Sequence, residues 1–322
     1  MGHDKLRKFA ENETFACLLQ PDASKVLDKT GDPADGLKLH DHPVKGHWNR
    51  DMFPKDQPIV LELGCGKGEY TIDLSRRIPG RNYIGVDIKG ARLWRGAKTA
   101  TEEGLPNVAF LRTRIEFIEA FFGPGEVSEI WLTFSDPQLK SENSRLTSPL
   151  FLERYRKFLK PGGVIHLKTD SRFLHEYSKA VAIENNLAIL DSTIDLYGRF
   201  LRPSGGSVPP ATVATLGHVR GGTESEEGGK TTCCLDEFRD FGGVREADVE
   251  RRDTTSEGQK ALYEVQTFYE RMFLSQGYKI TYLAFTIDHE GSYKHPEAFD
   301  SDYWRSIEGP RRFVHSPASS QR

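Results

Sequence analysis

The sequence predicts an α/β protein with a doubly wound, mostly parallel, Rossmann-like sheet, an antiparallel C-terminal strand and a long insertion. Short apolar runs alternate with amphipathic stretches, and a glycine-rich turn directly follows the first run. The runs are apolar almost throughout, which is typical of parallel strands covered on both faces. The expected strands are PIVLEL (58–63), NYIGVD (82–87), NVAFL (107–111), EIWLTF (129–134) and GVIHLKT (163–169).

The stretches between these strands carry apolar residues at helical spacing. Helices are expected around Tyr70–Arg77, Ala91–Glu103, Ile115–Phe122 and Pro149–Leu159. The sequence Pro161-Gly162-Gly163 is expected to end the last of them. Apolar positions from Leu262 to Phe273 predict one further helix ending near Gly277, and the alternating segment YKITYLAF (278–285) predicts the final strand.

Composition excludes several classes of protein. The chain has 322 residues, of which 37% are hydrophobic and 28% charged, as is usual for a soluble globular protein. It lacks the roughly 18 consecutive apolar residues of a membrane helix, and we expect no secretory signal in its charged start. Its 4 cysteines, Cys17, Cys65, Cys233 and Cys234, do not have metal-finger spacing. We therefore expect a cytoplasmic protein without a membrane or metal partner.

Residues 203–260 differ from the rest of the chain. They hold 10 of its 30 glycines, carry 7 Lys and Arg against 11 Asp and Glu, and show no sustained periodicity. We expect a disordered or mobile insertion there, because so long a loop is unusual inside a compact domain. The pair Cys233–Cys234 within it is either a metal-binding or redox-active site or two incidental thiols.

The predicted organisation follows from these boundaries. Residues 1–57 form an N-terminal extension, and residues 58–202 form the cofactor-binding core. After the insertion, residues 261–287 supply the final helix and strand of the core, and residues 288–322 form a C-terminal tail.

The segment LELGCGKGEY (61–70) is the strongest local motif. Gly64, Gly66 and Gly68 lie between a strand and a helix, where glycine permits a tight turn and close approach of a ligand. Their spacing is G-x-G-x-G, which differs from the G-x-G-x-x-G of pyrophosphate-binding sites. With the carboxylate of Glu62 beside it, the turn favours a cofactor with a cationic or hydrogen-bond-donating group. The alternative is that the glycines only pack a strand against a helix.

Further acids are expected along the same edge of the sheet. Asp87 ends the second strand, where an acidic side chain accepts the hydroxyls of a ribose. Asp136 and Asp170 follow the fourth and fifth strands. Carboxyl ends of parallel strands share one edge, so these side chains and Glu62 should line a single site. The pattern predicts an adenosine-type cofactor; S-adenosylmethionine fits, and NAD is the runner-up.

Several segments together resemble the bacterial tRNA (guanine-N7)-methyltransferase family, whose members use S-adenosylmethionine on a class I methyltransferase fold. The resemblance covers roughly residues 43–202 and 262–285, and the ordered motifs SDP, KTD and T-x-x-E are specific to the family. The segments that carry it are KGHWN (45–49), LELGCGKGEY, YIGVD, EVSEIWLTFSDP (126–137), RLTSPLFLERYRKFLKPGGVIHLKTD (145–170) and QTFYE (266–270).

The resemblance implies S-adenosylmethionine-dependent methylation of N7 of guanine 46 in the variable loop of tRNA. It implies that Glu62, Asp87 and the three glycines hold the cofactor, with Asp136 at the cofactor and catalytic centre. Lys140 would contact the substrate. The target guanine would be held by Asp170, Thr267, Phe268, Tyr269 and Glu270. Whether the protein is a monomer or a homodimer stays open.

The chemistry agrees with these roles. Guanine N7 already has a free lone pair, so methyl transfer requires alignment rather than a general base, and alignment can supply about 7–11 kcal/mol. Asp170 and Glu270 can accept the N1–H and N2–H of guanine and favour the purine cation that forms. His166 lies in mid-strand, and we interpret it as structural.

Two positions depart from the family pattern. Gln138 follows Asp-Pro where the family has Trp, and only Lys140 and Arg145 remain of the basic run there. Compensating cations are Lys89, Arg92, Arg95 and Lys98, or Lys5, Arg7 and Lys8; both clusters could equally be solvated faces. In addition, Arg114 lies where the family has an Asp near the adenine, and we hypothesise that Glu116 accepts from the adenine amino group instead.

Two other functions are compatible with the sequence. One is an S-adenosylmethionine-dependent methyltransferase of a protein or a small molecule, since a fold alone does not determine a substrate. The other is a non-catalytic tRNA-binding subunit, which would fail to bind the cofactor.

Overall fold

Eight strands form one sheet in the order β1-β4-β3-β2-β5-β6-β8-β7. The structure is a computed structural model that describes residues 3–28, 38–198 and 256–308. Neighbours from β1 to β6 are parallel, and β8 runs antiparallel to both β6 and β7. This confirms the predicted fold class. The strands are β1 (Leu18–Leu19), β2 (Ile59–Leu63), β3 (Asn82–Asp87), β4 (Val108–Arg112), β5 (Val127–Thr133), β6 (Leu159–Thr169), β7 (Ile189–Thr193) and β8 (Thr281–Thr286).

Helices cover both faces of the sheet, as the near-continuous burial of its central strands requires. Every residue of β2 and β3 is buried. The helices are α1 (His3–Asn12), α2 (Ala23–Val26), α3 (Trp48–Met52), α4 (Glu69–Arg77), α5 (Gly90–Glu102), α6 (Pro149–Tyr155), α7 (Arg172–Glu184), α8 (Ser256–Glu264), α9 (Phe268–Ser275) and α10 (Ser301–Glu308). Short 3-10 helices lie at Ile115–Ala120 and Glu142–Ser144.

The strand order reverses at β2, which pairs with β3 on one side and β5 on the other. In open α/β sheets this switch point opens a crevice at the carboxyl ends of the strands. The glycine turn follows β2 directly, so the topology places it in that crevice.

The prediction of one helix from Leu262 to Phe273 is wrong. The chain forms α8 and α9 with a break between them, and the Thr267 side chain caps α9 by accepting from the N–H of Glu270 at 3.1 Å. Val265, in the break, is buried. The apolar periodicity continues through the break because both helices pack against the same part of the core.

The expected end of a helix at Pro161-Gly162-Gly163 is also wrong, because that sequence lies inside β6. Helix α6 ends at Tyr155, and β6 begins at Leu159. The register between β5 and β6 shifts around these residues, so they form a bulge in the strand rather than a helix stop. Helix α7 and strand β7 were not predicted from the sequence.

The segments outside the expected core pack onto it. Helix α1 packs against α5, and β1 extends the sheet beside β4. In the tail, α10 packs against α7, and the Phe299 ring meets Phe173 and Tyr177 edge-on. Helix α8 begins at Ser256, inside the expected insertion; the expected disorder of residues 203–255 and the pair Cys233–Cys234 lie outside the described residues. Among the residues described, no helix combines the length and hydropathy needed to cross a membrane.

Candidate active site

Residues at the carboxyl ends of β2, β3, β5 and β6 form the edge that we call the rim: Gly64, Asp87, Asp136 and Asp170. Each of them ends one of these strands or follows it within three positions. Because parallel strands present these ends at one edge of the sheet, the topology brings together residues that are as far as 106 positions apart in the chain.

The glycine turn combines two functions. Gly64, Gly66 and Gly68 have φ angles of 80°, 59° and 72°, in the left-handed region that side chains disfavour. A Cβ at Gly64 or Gly66 would meet no atom within 4 Å, so the backbone there faces open space. A Cβ at Gly68 would lie 2.6 Å from the Phe110 ring. The first two glycines thus leave room for a ligand, and the third permits close packing.

Asp87 connects the turn to the start of α5. Its carboxylate accepts from the N–H of Gly66 at 3.1 Å and from the N–H of Lys89 at 2.7 Å. These bonds hold two loops of the rim together. Each carboxylate oxygen has a further lone pair, which leaves Asp87 able to accept the hydroxyls of a ribose.

Glu62 is buried and has protein partners for both oxygens. One oxygen accepts from the N–H of Thr71, at 2.9 Å, and from its hydroxyl, and the other accepts from the Thr133 hydroxyl at 2.6 Å. Burial raises the pKa of Glu62 to about 7, although these hydrogen bonds lower it. Glu62 therefore joins β2 to α4 and β5 beneath the turn, rather than standing free at its surface.

Arg114 and Glu116 follow β4 at the same edge of the sheet. Their side chains are half exposed and lie 3.3 Å apart. Partial burial acts to raise the pKa of Glu116, but a backbone N–H and Arg114 lower it overall. A charged carboxylate is thus present on the side of the rim where the sequence predicts an adenine contact.

The chain between β5 and α6 is strained where Asp136 lies. Phe134 and Gln138 have φ angles of 52° and 47°, although neither is glycine. Such residues cost roughly 1–3 kcal/mol each and cluster at functional sites. The Phe134 N–H donates to the Lys168 carbonyl at 2.9 Å, and the Gln138 N–H donates to Asp136 at 2.9 Å. These bonds hold the Asp136 side chain at the solvent-exposed end of β5.

The expectation that Arg145 belongs to a basic run is wrong. Its side chain is 1% exposed and its guanidinium lies 4.7 Å from the Phe173 ring and 4.2 Å from the Tyr177 ring. It donates to the carbonyls of Gln138 and Leu139 at 3.3 and 3.5 Å. Arg145 therefore supports the Asp136 loop from inside, and Lys140 is the exposed cation of this segment.

The start of α9 meets the glycine turn. The Phe268 N–H donates to the Glu69 carboxylate at 2.7 Å, and the Lys67 ammonium lies 5.2 Å from the centre of the Phe268 ring. Phe268 and Tyr269 are 43% and 46% exposed. The structure thus brings the start of α9 next to the turn and presents two aromatic rings to solvent. The expected contact of Thr267, Phe268 and Tyr269 with guanine stays a prediction.

Glu270, in the first turn of α9, is not exposed to solvent as Phe268 and Tyr269 are. Its side chain is completely buried and lies 2.8 Å from the ammonium of Lys168, and the Tyr197 hydroxyl donates to it. Both of these contacts use the same carboxylate oxygen, and the other oxygen, Oε2, is buried without a hydrogen-bond partner among the described residues. The guanine contact expected from the sequence stays a prediction. Sequence reasoning missed Lys168 and Tyr197, although a lysine in a strand as apolar as β6 indicates a buried partner.

His166 is structural, as the sequence predicts. Its ring stacks on Trp131 with centroids 4.1 Å apart and bonds the Tyr282 hydroxyl at 2.8 Å. Burial lowers its pKa to about 4.

This fold and rim define a methyltransferase of the Rossmann-like class. Residues 56–203 match a family model described as "Putative methyltransferase". The chain is 52% identical over 197 residues to the tRNA (guanine-N(7)-)-methyltransferase of Bacteroides thetaiotaomicron. The aligned residues cover 61% of this chain and 74% of that protein. It is 50% identical over 196 residues to the protein of that name from Christiangramia forsetii, covering 60% and 83% of the two chains. The chain therefore belongs to the tRNA (guanine-N(7)-)-methyltransferase family.

Proposed function

We propose that this protein transfers a methyl group from S-adenosylmethionine to N7 of guanine 46 in the variable loop of tRNA. The observation that carries the proposal is the meeting of the glycine turn, the Asp136 loop and the start of α9 at one rim, in a chain of this family. The methyl donor and the base would there be held within reach of each other.

The cofactor side of the rim fits S-adenosylmethionine in shape and charge. Open space beside Gly64 and Gly66 accommodates a ligand that approaches the backbone closely. Asp87 would accept the ribose hydroxyls, and Glu116 would accept from the adenine amino group. When bound, S-adenosylmethionine supplies an activated methyl group on a cationic sulfonium, and the exposed carboxylate of Asp136 favours that positive charge.

The substrate side requires positioning rather than proton abstraction, because N7 carries a free lone pair. Asp170 would accept the donors on the pairing edge of guanine, and Lys140 would contact a nearby phosphate. Phe268 and Tyr269 present exposed rings on which a purine can stack. Glu270 would support this segment from behind through Lys168. Alignment of N7 with the methyl group can supply about 7–11 kcal/mol of the barrier.

The test is incubation of the purified full chain with S-adenosylmethionine and unmodified tRNA, followed by nucleoside analysis. We expect 7-methylguanosine with wild-type tRNA and none with a tRNA that carries adenine at position 46. The variant Asp136→Asn tests the role of the carboxylate without disturbing the loop, because its amide oxygen can still accept the Gln138 N–H. We expect it to fold normally and to lose at least 100-fold in turnover.

Other outcomes would separate the alternatives. Binding of labelled S-adenosylmethionine without methylation of any tRNA would favour a protein or small-molecule substrate. Binding of tRNA without binding of S-adenosylmethionine would favour a non-catalytic subunit. A Glu116→Ala variant with unchanged affinity for the cofactor would remove Glu116 from the adenine contact.

A further inference from the structure

We propose that α1 and α5 together form a second contact surface for tRNA, which binds the sugar-phosphate backbone beside the rim. This inference rests on the proposed function and identifies where that function would bind RNA outside the target nucleotide. The α1–α5 basic surface consists of Lys5, Arg7, Lys8, Lys89, Arg92, Arg95 and Lys98.

The strongest feature of this surface is a row of cations on α5. Lys89 precedes the helix as its N-cap, and Arg92 and Arg95 follow at steps of three residues. All three are exposed, and within the described part of the chain none lies within ion-pair distance of a carboxylate. Six residues of helix span roughly 9 Å, so the row presents separate charges along one direction. Such a row suits a chain of phosphates better than a single small anion.

Helix α1 is fixed beside that row through Trp94 of α5. The indole N–H of Trp94 donates to Glu11, and the Asn12 amide donates to the Gly90 carbonyl at 3.0 Å. Arg7, Lys8 and Lys98 surround the indole at 5.1, 4.8 and 5.2 Å from its centre. The packing therefore concentrates cations from two helices on one surface instead of separating them.

The net charge of this surface is positive despite its internal ion pairs. Asp4 pairs with Arg7 and Lys8, Glu11 pairs with Arg7, and Glu102 lies 3.7 Å from Lys98. Together with Lys89, the two helices carry seven cations and three carboxylates. A local positive field of this kind attracts a polyanion even though the whole chain has a net charge of −3.

The row of cations on α5 begins next to the rim. The Lys89 N–H donates to Asp87, so the row begins at the rim and leads away from it. On the other side of the rim, burial of Arg145 leaves Lys140 as the exposed cation between Asp136 and Arg145. A tRNA strand that delivers a base to the rim continues past it. The Asp136 loop offers one exposed cation, Lys140, whereas α5 offers a row of them.

The test measures tRNA affinity of the full chain as a function of salt for wild type, Arg92→Ala, Arg95→Ala and the double variant. Each lost phosphate contact lowers the slope of log K against log salt by about 0.7–0.9. We expect the double variant to bind roughly tenfold more weakly at low salt, with a slope shallower by about 1.4–1.8. Its affinity for S-adenosylmethionine should not change.

The matched control is Lys55→Ala, which removes an exposed cation near the start of β2, at the opposite edge of the sheet. It should leave affinity and slope unchanged. An unchanged slope in the double variant, or an equal loss in Lys55→Ala, would overturn the inference while wild-type methylation of tRNA still supported the proposed function. Absence of tRNA methylation by the wild type would instead reject the proposed function itself.

Discussion

The ammonium nitrogen of Lys168 lies 2.8 Å from a carboxylate oxygen of Glu270, and neither side chain is exposed to solvent. The same ammonium donates to the carbonyls of Leu262 and Val265 at 2.7 and 3.1 Å. Those carbonyls lie at and just beyond the end of α8, where no intrahelical donor is available. One buried cation on β6 therefore ends α8 and pairs with the first turn of α9.

We expect Lys168→Met to destabilise the protein by about 3–5 kcal/mol, because it leaves the Glu270 charge buried without its partner. Glu270→Gln combined with Lys168→Met should recover part of that loss. The measurement is the free energy of unfolding in urea for both single variants and the double variant. If the losses of the two single variants simply added in the double variant, the pair would not be coupled.

This pair also shows where sequence reasoning ends. Strands β2 to β6 and β8, and the acids at the edge of the sheet, were predictable because apolar runs and turn residues are local patterns, and parallel strands align their carboxyl ends. The break before α9 depends on Lys168, about 100 positions earlier in the chain. The apolar periodicity from Leu262 to Phe273 is the same on both sides of the break, so only the tertiary contact with Lys168 reveals the break.

The direction of a side chain was the second unpredictable property. Glu62, Arg145 and Glu270 lie in the expected parts of the chain, yet all three side chains are buried. Glu62 and Glu270 accept hydrogen bonds from distant segments, and the Arg145 guanidinium lies against two rings of α7. The motif therefore predicts where such a residue lies along the chain and leaves open whether it contacts a ligand.

Stability should depend on pH through Glu62. Burial raises its pKa to about 7 in the folded protein, whereas an unfolded Glu titrates near 4.5. The folded protein thus binds this proton more tightly, so its contribution to stability is complete below about pH 4.5 and is lost as the pH rises through 7. Between pH 5 and pH 8 the loss should be about 2.5 kcal/mol.

Glu62→Gln keeps the shape of the side chain and removes the titration, so it should abolish that part of the pH dependence. Urea unfolding of both proteins from pH 5 to pH 8 measures the effect as the difference between the two pH profiles. Burial lowers the pKa of His166 from 6.5 to about 4, so His166 acts in the opposite direction between these values, but it is present in both proteins and cancels in their difference. Parallel pH profiles for the two proteins would show that Glu62 does not titrate in this range.

The two kinds of glycine in the turn should respond differently to alanine. Gly66→Ala should cost about 1–2 kcal/mol from its left-handed φ and should weaken binding of S-adenosylmethionine at least tenfold, because the Cβ enters the open space beside it. Gly68→Ala should lose a further 1–3 kcal/mol or so, since its Cβ would overlap the Phe110 ring. Unfolding in urea and calorimetric titration separate the two effects. Equal stability of both variants would contradict the conclusion that Gly68 packs against Phe110 whereas Gly66 faces open space.

Variants of Arg145 and Lys140 distinguish a residue that supports the Asp136 loop from one that contacts RNA. Arg145→Met removes the hydrogen bonds to the Gln138 and Leu139 carbonyls. It also removes the contacts of the guanidinium with the rings of Phe173 and Tyr177. We expect a loss of about 2–4 kcal/mol in stability, because these partly buried carbonyls lose their donor and the packing around the buried side chain changes. Turnover should fall, since the strained loop that holds Asp136 loses its anchor.

Lys140→Ala is the matched control, because Lys140 is exposed in the same segment. It should leave the free energy of unfolding within about 0.5 kcal/mol of wild type. Its slope of log K for tRNA against log salt should become shallower by about 0.7–0.9, whereas Arg145→Met should leave that slope unchanged because a buried guanidinium releases no counterions. Both proteins are measured by urea unfolding and by tRNA binding across salt concentrations. If Arg145→Met lowered the slope without destabilising the fold, Arg145 would contact phosphate and the buried arrangement would not describe the active protein.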